Sequence, residues 1–236
     1  KRAVFEARGE LFSLPAEHGP IINLTRTSGA AERYPAWSPD GKNIAYLSDS
    51  SGEYELSVRP ADGSGAEKTI TRMGPGFRYN LFWSPDGQKI AFADQAMNIN
   101  LADVATGKVT AIDKGISMFQ GELEGFRASW SEDSRWLAYS RSVANFNAVI
   151  FLYDAKENKL HRVTEDFYSA MAPTFDPEGK YLYCLTNRTF EPSYSDVDNT
   201  WIYANTTNIA AISLRKDVPS PLAPRNDVEA EAKKDE

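Results

Sequence analysis

Nucleophilic hydrolysis needs a hydroxyl or thiol beside an oriented base, and the chain offers two histidines for that base, His18 and His161. His18 stands in the turn-like run Ala16-Glu17-His18-Gly19-Pro20, and His161 in the strand-like run from Lys159 to Val163. Neither context suits a catalytic base. No Gly-x-Ser-x-Gly elbow is present, because Gly115-Ile116-Ser117-Met118-Phe119 lacks the final glycine. The histidines are not paired at ligand spacing, and the single cysteine, Cys184, can form neither an intramolecular disulfide nor a zinc site built from several thiolates. No catalytic residue, metal site or cofactor is therefore expected.

The remaining candidates are cationic. Arg33-Tyr34, Arg78-Tyr79 and Phe126-Arg127 set an arginine beside an aromatic in three successive places of an acidic chain. Guanidinium groups facing a channel attract carboxylates, including peptide carboxyl termini. Pairing with Asp or Glu between structural units is the competing role. Counted back from Trp37, Trp83 and Trp130, the arginines lie four, five and three positions away. Strict strand alternation therefore does not aim all three the same way.

Repetition shows what must position these residues. Pro35-Ala36-Trp37-Ser38-Pro39-Asp40-Gly41-Lys42-Asn43-Ile44-Ala45-Tyr46 returns as Leu81-Phe82-Trp83-Ser84-Pro85-Asp86-Gly87-Gln88-Lys89-Ile90-Ala91-Phe92. Further copies run from Ser129 to Tyr139 and from Thr174 to Cys184. From Trp37 to Trp83, Trp130 and Phe175 the steps are 46, 47 and 45 residues. Each unit holds four short strand-type runs between turn residues, as in Arg33 to Trp37, Asn43 to Leu47, Tyr54 to Arg59 and Lys68 to Thr71. Ser-Pro-Asp-Gly suits a tight hairpin: proline presets the first turn angle, aspartate accepts from the turn's own amides, and glycine takes the positive φ. That role accounts fully for Asp40, Asp86 and Asp133.

One such sheet cannot bury its apolar faces alone, so neighbouring sheets must stack on the recurring indole and phenol rings. The expected fold is all-β, a β-propeller of four-stranded antiparallel blades, with blades near 1–27, 32–73, 77–113, 124–165 and 170–217. Placing Phe5 in register with Tyr46 leaves blade one with three strands and no innermost one; blade five likewise shows no fourth strand. Residues 1–224 form the propeller segment, and the charged run 225–236 reads as a flexible tail. About five blades are present, either a small ring or part of a larger one. An insertion from Asn187 to Thr207 interrupts blade five; Arg188, Tyr194 and Trp201 mark it as a rim loop for a partner or substrate, or else as a cover packed on its blade.

Composition sets the outer limits. With 236 residues, 42% hydrophobic and 25% charged, the chain can bury roughly 70–75% of its unfolded surface. A formal charge of −7 opposes attraction to nucleic acid or anionic lipid, and no stretch approaches the roughly 18 apolar residues of a membrane span. Neither nucleic acid nor membrane insertion is expected. One cysteine leaves cytoplasm and periplasm equally open.

Lys1 to Glu10, Asn23-Leu24-Thr25-Arg26-Thr27, Pro35 to Tyr46 with Ser51 to Leu56, and Ser220-Pro221-Leu222-Ala223-Pro224 together resemble the second propeller of tricorn-type serine proteases, in their bacterial homologues. The Trp-Ser-Pro-Asp-Gly core also resembles TolB-like propellers. The tricorn resemblance spans about 1–224 and implies five blades of a seven-bladed ring, a non-catalytic part of a peptidase that guides or gates peptides and takes part in assembly. The implied partners are peptide substrates and the remaining domains of the parent, with a homo-oligomer formed through the full-length protein. The family's catalytic residues belong to another domain, and none maps onto this sequence. The alternative is a TolB-like protein-binding propeller with no enzymatic role; a glycoside-acting enzyme, which needs paired carboxylates, has only Glu32 and Glu124 near the innermost strands.

Overall fold

The computed structural model describes residues 1–118, 120–189, 191–195, 197–198 and 200–223. The expected tail at 225–236, and Phe190 and Asp196 of the rim loop, lie outside the described residues. The chain folds into successive antiparallel sheets, each ordered as its strands occur in sequence. The first is β1 (Arg2–Ala7), β2 (Glu10–Pro15) and β3 (Ile22–Asn23). The second is β4 (Glu32–Trp37), β5 (Asn43–Ser48), β6 (Glu55–Pro60) and β7 (Lys68–Thr69). The third is β8 (Arg78–Trp83), β9 (Lys89–Asp94), β10 (Asn98–Asp103) and β11 (Val109–Lys114). A short α1 (Gln120–Glu124), which the strand pattern did not foretell, precedes the fourth sheet. That sheet is β12 (Ala128–Trp130), β13 (Trp136–Ser142), β14 (Ala148–Asp154) and β15 (Lys159–Arg162). The fifth pairs β16 (Ala170–Phe175), β17 (Tyr181–Thr186) and β20 (Asn208–Ser213); a separate hairpin, β18 (Ser193–Tyr194) with β19 (Trp201–Ile202), fills the insertion.

The repeated turn builds the same loop each time. Ser38 Oγ donates to Asp40 Oδ1 at 2.6 Å, Asp40 Oδ1 also accepts from the Lys42 amide at 3.0 Å, and Ser38 Oγ accepts from the Asn43 amide at 2.9 Å. Ser84 with Asp86 and Ser131 with Asp133 repeat the pattern. Gly41, Gly87 and Gly179 take the required φ of 69°, 70° and 65°, and Ser134 adopts 59° where the third copy has no glycine. In the worn fourth copy Asp176 replaces the serine, and its own Oδ2 accepts from the Lys180 amide at 3.0 Å.

A second recurring device lies at the outer strands. The hydroxyls of Thr25, Thr71 and Thr164 accept from the amides of Leu11, Leu56 and Ile150 at 3.1, 2.9 and 3.0 Å. This is why β7 ends at Thr69 and not at Thr71 as its residue types suggest. Past that point the Ile70 amide still donates to the Leu56 carbonyl at 2.7 Å, and the Thr71 hydroxyl replaces a backbone carbonyl as acceptor for the Leu56 amide.

Each pair of neighbouring sheets closes over its own apolar cluster. Tyr46 packs with Leu11 and Leu24, Phe92 with Leu47 and Leu56, Tyr139 with Phe126 and Ile99, and Leu182 with Ala138 and Ile150. Tyr46, Phe92 and Tyr139 are all but inaccessible, and burying such a side chain is worth about 1.5–3 kcal/mol. Phe5, in the same register of the first sheet, is 53% exposed. Trp83 Nε1 donates to the Ala36 carbonyl at 3.2 Å and Trp130 Nε1 to the Phe82 carbonyl at 3.1 Å, each reaching back to the sheet before it.

The third and fourth sheets are also clamped ionically. Arg141 grips Asp113 through Nε at 2.6 Å and Nη2 at 3.1 Å, Tyr139 donates to the same carboxylate at 2.9 Å, and the guanidinium lies 4.1 Å from the Phe151 ring centroid. Both charged partners are largely buried, so removing one strands the other. Asp113→Ala is expected to lower unfolding free energy by about 3–5 kcal/mol in urea titration. A loss within 0.5 kcal/mol, roughly the range of surface substitutions, would show that the clamp contributes nothing.

Candidate functional site

Arg33 and Arg78 lie at the starts of β4 and β8, each ahead of a backbone irregularity, and Arg127 lies immediately before β12. Tyr34, Asn80 and Ala172 have φ of 54°, 52° and 52°, each three residues before Trp37, Trp83 or Phe175. The pairing register slips there in β4, β8 and β16. A bulge adds one residue to the strand and resets side-chain alternation. Uninterrupted alternation, on which the sequence offsets were judged, does not hold across this point. Arg78 takes the position Glu32 holds in the second sheet, Arg33 matches Tyr79, and Arg127 matches the bulge residue itself.

Arg78 is 6% exposed and holds a loop together. Its Nη1 donates to the carbonyls of Tyr54, at 3.0 Å, and Gly76, and its Nη2 to the Gly74 carbonyl at 2.9 Å. Arg33 donates through Nε to Tyr54 Oη at 3.1 Å, lies 3.5 Å from Glu6 of the first sheet, and stands 5.8 Å from the Phe77 ring centroid. Tyr54 thus joins Arg33 and Arg78. The pairing role foreseen for the arginines occurs here, since Arg33 pairs with an acid between sheets.

Arg127 is different. It is exposed, with Nη1 on the Phe126 carbonyl at 2.9 Å. It borders a cavity of about 310 Å³ whose apolar wall includes Met118, Met171, Ala172 and Leu185. Arg141 also lines this cavity but is committed to Asp113. The concavity formed by the other ends of β4, β8 and β12 is walled by Ala36, Phe82, Ala128 and the three tryptophans, with no arginine.

The insertion does not pack down as a cover. Tyr194 and Trp201 meet as a tilted pair with ring centroids 4.6 Å apart while remaining 62% and 51% exposed. Arg188 is exposed at the base of the same segment. The hairpin leaves the sheet after β17 and returns at β20, so it stands at the end where β16 begins, the end that also carries Arg127's cavity.

The groups that hydrolysis would need stay apart. The His161 ring lies 5.7 Å from that of Trp136, and His18 is exposed. Burial pushes the Cys184 thiol up, away from the thiolate a nucleophile needs. Glu32 is inaccessible and bonded by Thr27 at 2.6 Å, so it cannot meet a sugar as half of a carboxylate pair. Among the described residues no group of three or more His, Cys, Asp or Glu converges as a metal site would require.

The family model described as the tricorn protease second beta propeller domain matches residues 1–236. Tricorn protease homolog 1 of Streptomyces coelicolor is 26% identical over 223 residues, 92% of this chain and 20% of that protein. The tricorn protease of Thermoplasma volcanium is 30% identical over 186 residues, 73% of this chain and 18% of that protein. The crystal structure of the tricorn protease superposes with a TM-score of 0.80 at 22% identity, covering 99% of this chain and 23% of that one. A putative TolB from Agrobacterium tumefaciens shares the fold more distantly, with a TM-score of 0.59 at 20% identity over 89% of this chain and 76% of its own. The chain is an all-β propeller and belongs to the tricorn protease second β-propeller family. It spans about a fifth of the length of these tricorn relatives.

Glu32 supplies a test of the buried seam between the first two sheets. Burial raises its pKa, the Thr27 and Thr25 hydroxyls oppose that, and the negative fields of Glu67 and Glu10 add to it. An acid whose folded pKa is raised contributes stability that is complete below its unfolded value, near about 4.3, and lost as pH rises through the folded value. Glu32→Gln should therefore be more stable than the parent chain at neutral pH, with the advantage shrinking as pH falls toward about 4 in parallel denaturant titrations. A difference that is independent of pH would contradict this.

Proposed function

We propose that the chain is the non-catalytic propeller portion of a tricorn-like serine peptidase, where it guides or gates peptide substrates and contributes to assembly. The observation that carries this reading is the family match along the whole chain, joined to a chain length of about a fifth of the relatives. Peptide recognition falls to Arg127 first. Its exposed guanidinium beside an apolar cavity is suited to a peptide carboxylate flanked by an apolar side chain. Arg33 is a secondary contact, and Arg78 acts through the loop it holds. Arg188, Tyr194 and Trp201 form the rim on the same end.

Membership of a larger ring, seven blades in all, is part of the proposal. Ala45, Leu47 and Leu56 of the second sheet are buried against the third. The corresponding face of the fifth carries Tyr183, Leu185 and Ile209 at 37%, 37% and 78% exposure, which favours a further blade laid over it. Remaining domains of the parent and a homo-oligomer of the full-length protein are the other partners proposed.

In the parent peptidase, Arg127→Glu is expected to lower kcat/KM for long peptides about tenfold by reversing the charge that receives them, with short chromogenic substrates unaffected. Equal loss on both substrate classes would place the effect at the active site. No loss on either would favour a protein-binding propeller of the TolB kind.

A further inference from the structure

Neighbouring sheets enclose a cleft at the end where the Ser-Pro-Asp-Gly loops lie, and two of these clefts are built from equivalent residues. Between the second and third sheets the cleft is bounded by Asp40, Val58, Trp83, Asp86 and Val104 and has a volume of about 440 Å³. Between the fourth and fifth, Asp133, Leu152, Phe175, Glu178 and Leu214 occupy the same places around about 780 Å³. The cause of the difference is visible in the repeat. Trp83 sends its indole back to the Ala36 carbonyl, whereas Phe175 has no ring N–H and a smaller ring. Ser129 stands where Ala36 stood, and its hydroxyl accepts instead from the Phe175 backbone amide at 3.1 Å. Where the earlier cleft has Asn43, the later one has Trp136, so its floor becomes Trp136, Leu152, Phe175 and Leu214.

The two clefts also differ in charge. The smaller is bordered by Asp40 and Asp86 with Arg59 and Lys68, two acids against two cations. The larger is bordered by Glu132, Asp133, Asp176 and Glu178 with Arg215. Arg215 is itself engaged by Asp217 at 3.2 Å, and Glu178 by Lys180, which leaves Glu132, Asp133 and Asp176 as the rim's negative side. An apolar floor beneath an acidic rim accepts a hydrocarbon stem that ends in a cation. The chain shows this chemistry at the edge of the same cleft: Arg135 lies 4.9 Å from the Trp136 ring centroid while Asp154 holds its guanidinium.

We propose that the cleft between the fourth and fifth sheets docks an extended partner segment that presents a lysine or arginine next to an apolar side chain. Charge complementarity selects this occupant over a second copy of the chain, whose formal charge of −7 opposes approach to an acidic rim. The proposal does not depend on the peptide-guiding reading, because the cleft lies at the opposite end of the strands from Arg127.

The test is a titration of the 1–236 chain with acetyl-Leu-Arg-Leu-amide and, separately, acetyl-Leu-Glu-Leu-amide, followed through the indole N–H resonances. The basic peptide should shift Trp136 and leave Trp37 unmoved, and the acidic peptide should bind at least about tenfold more weakly. Phe175→Trp, which refills the cleft as in the earlier sheets, should weaken the basic peptide at least about tenfold. The exposed pair Glu132→Lys and Glu178→Lys, which leaves the core untouched, should do the same. Equal binding of the two peptides, no shift at Trp136, or full affinity in the lysine variant would overturn the proposal. So would concentration-dependent self-association in sedimentation that Phe175→Trp abolishes, since that would make a second copy the occupant.

Discussion

The backward reach of a tryptophan at the end of a first strand is the constraint on which the stacked sheets depend. An indole is large enough to span the gap between two sheets, and its single N–H must find an acceptor once buried. Trp83 and Trp130 meet both needs by ending on the carbonyls of Ala36 and Phe82. A net hydrogen bond of about 1 kcal/mol is the smaller part of the effect. Its larger consequence is geometric, because the acceptor is the residue just before the preceding tryptophan position and each sheet is thereby set in register on the last. The acceptor and donor recur together, so the device propagates along the chain.

Where this device changes, the structure changes with it. Phe175 replaces the indole and a cleft nearly twice as large opens beside it, with Ser129 supplying a different inter-sheet bond. The third and fourth sheets add an ionic clamp, Arg141 on Asp113, while the first and second enclose Glu32 with one carboxylate oxygen lacking a partner. The interfaces are thus unequal, apolar in one place, clamped in another and polar in a third, although the repeat that builds them is regular.

Much of this was legible in the sequence because the repeat encodes turns and core together. Ser-Pro-Asp-Gly sets the hairpins, the step of about 46 residues sets the sheets, and the register that aligns Phe5 with Tyr46 returns in the backbone, where the Ala16 amide donates to the Lys1 carbonyl as the Ala61 amide does to that of Lys42. The bulges at Tyr34, Asn80 and Ala172 were not legible, since three unrelated residue types adopt the same positive φ and nothing but their common distance from the aromatic marks them. Offsets counted from the aromatic therefore do not by themselves say where each arginine points. The threonines that extend the outer ladders did leave a signal, the pairs Leu24-Thr25, Ile70-Thr71 and Val163-Thr164, which a search centred on tryptophan passes over. No sequence pattern could have told that Arg78 is occupied by three carbonyls while Arg127 is exposed, because each outcome is set by the loop that follows or precedes the strand.

Hydrogen exchange of the indole protons, resolved by residue in the 1–236 chain, tests the central interaction most directly. Trp83 and Trp130 should exchange at least about a hundredfold more slowly than the exposed Trp201, because their protons are released only when neighbouring sheets part. Indole protons of Trp83 and Trp130 that exchange as fast as that of Trp201 would contradict the account.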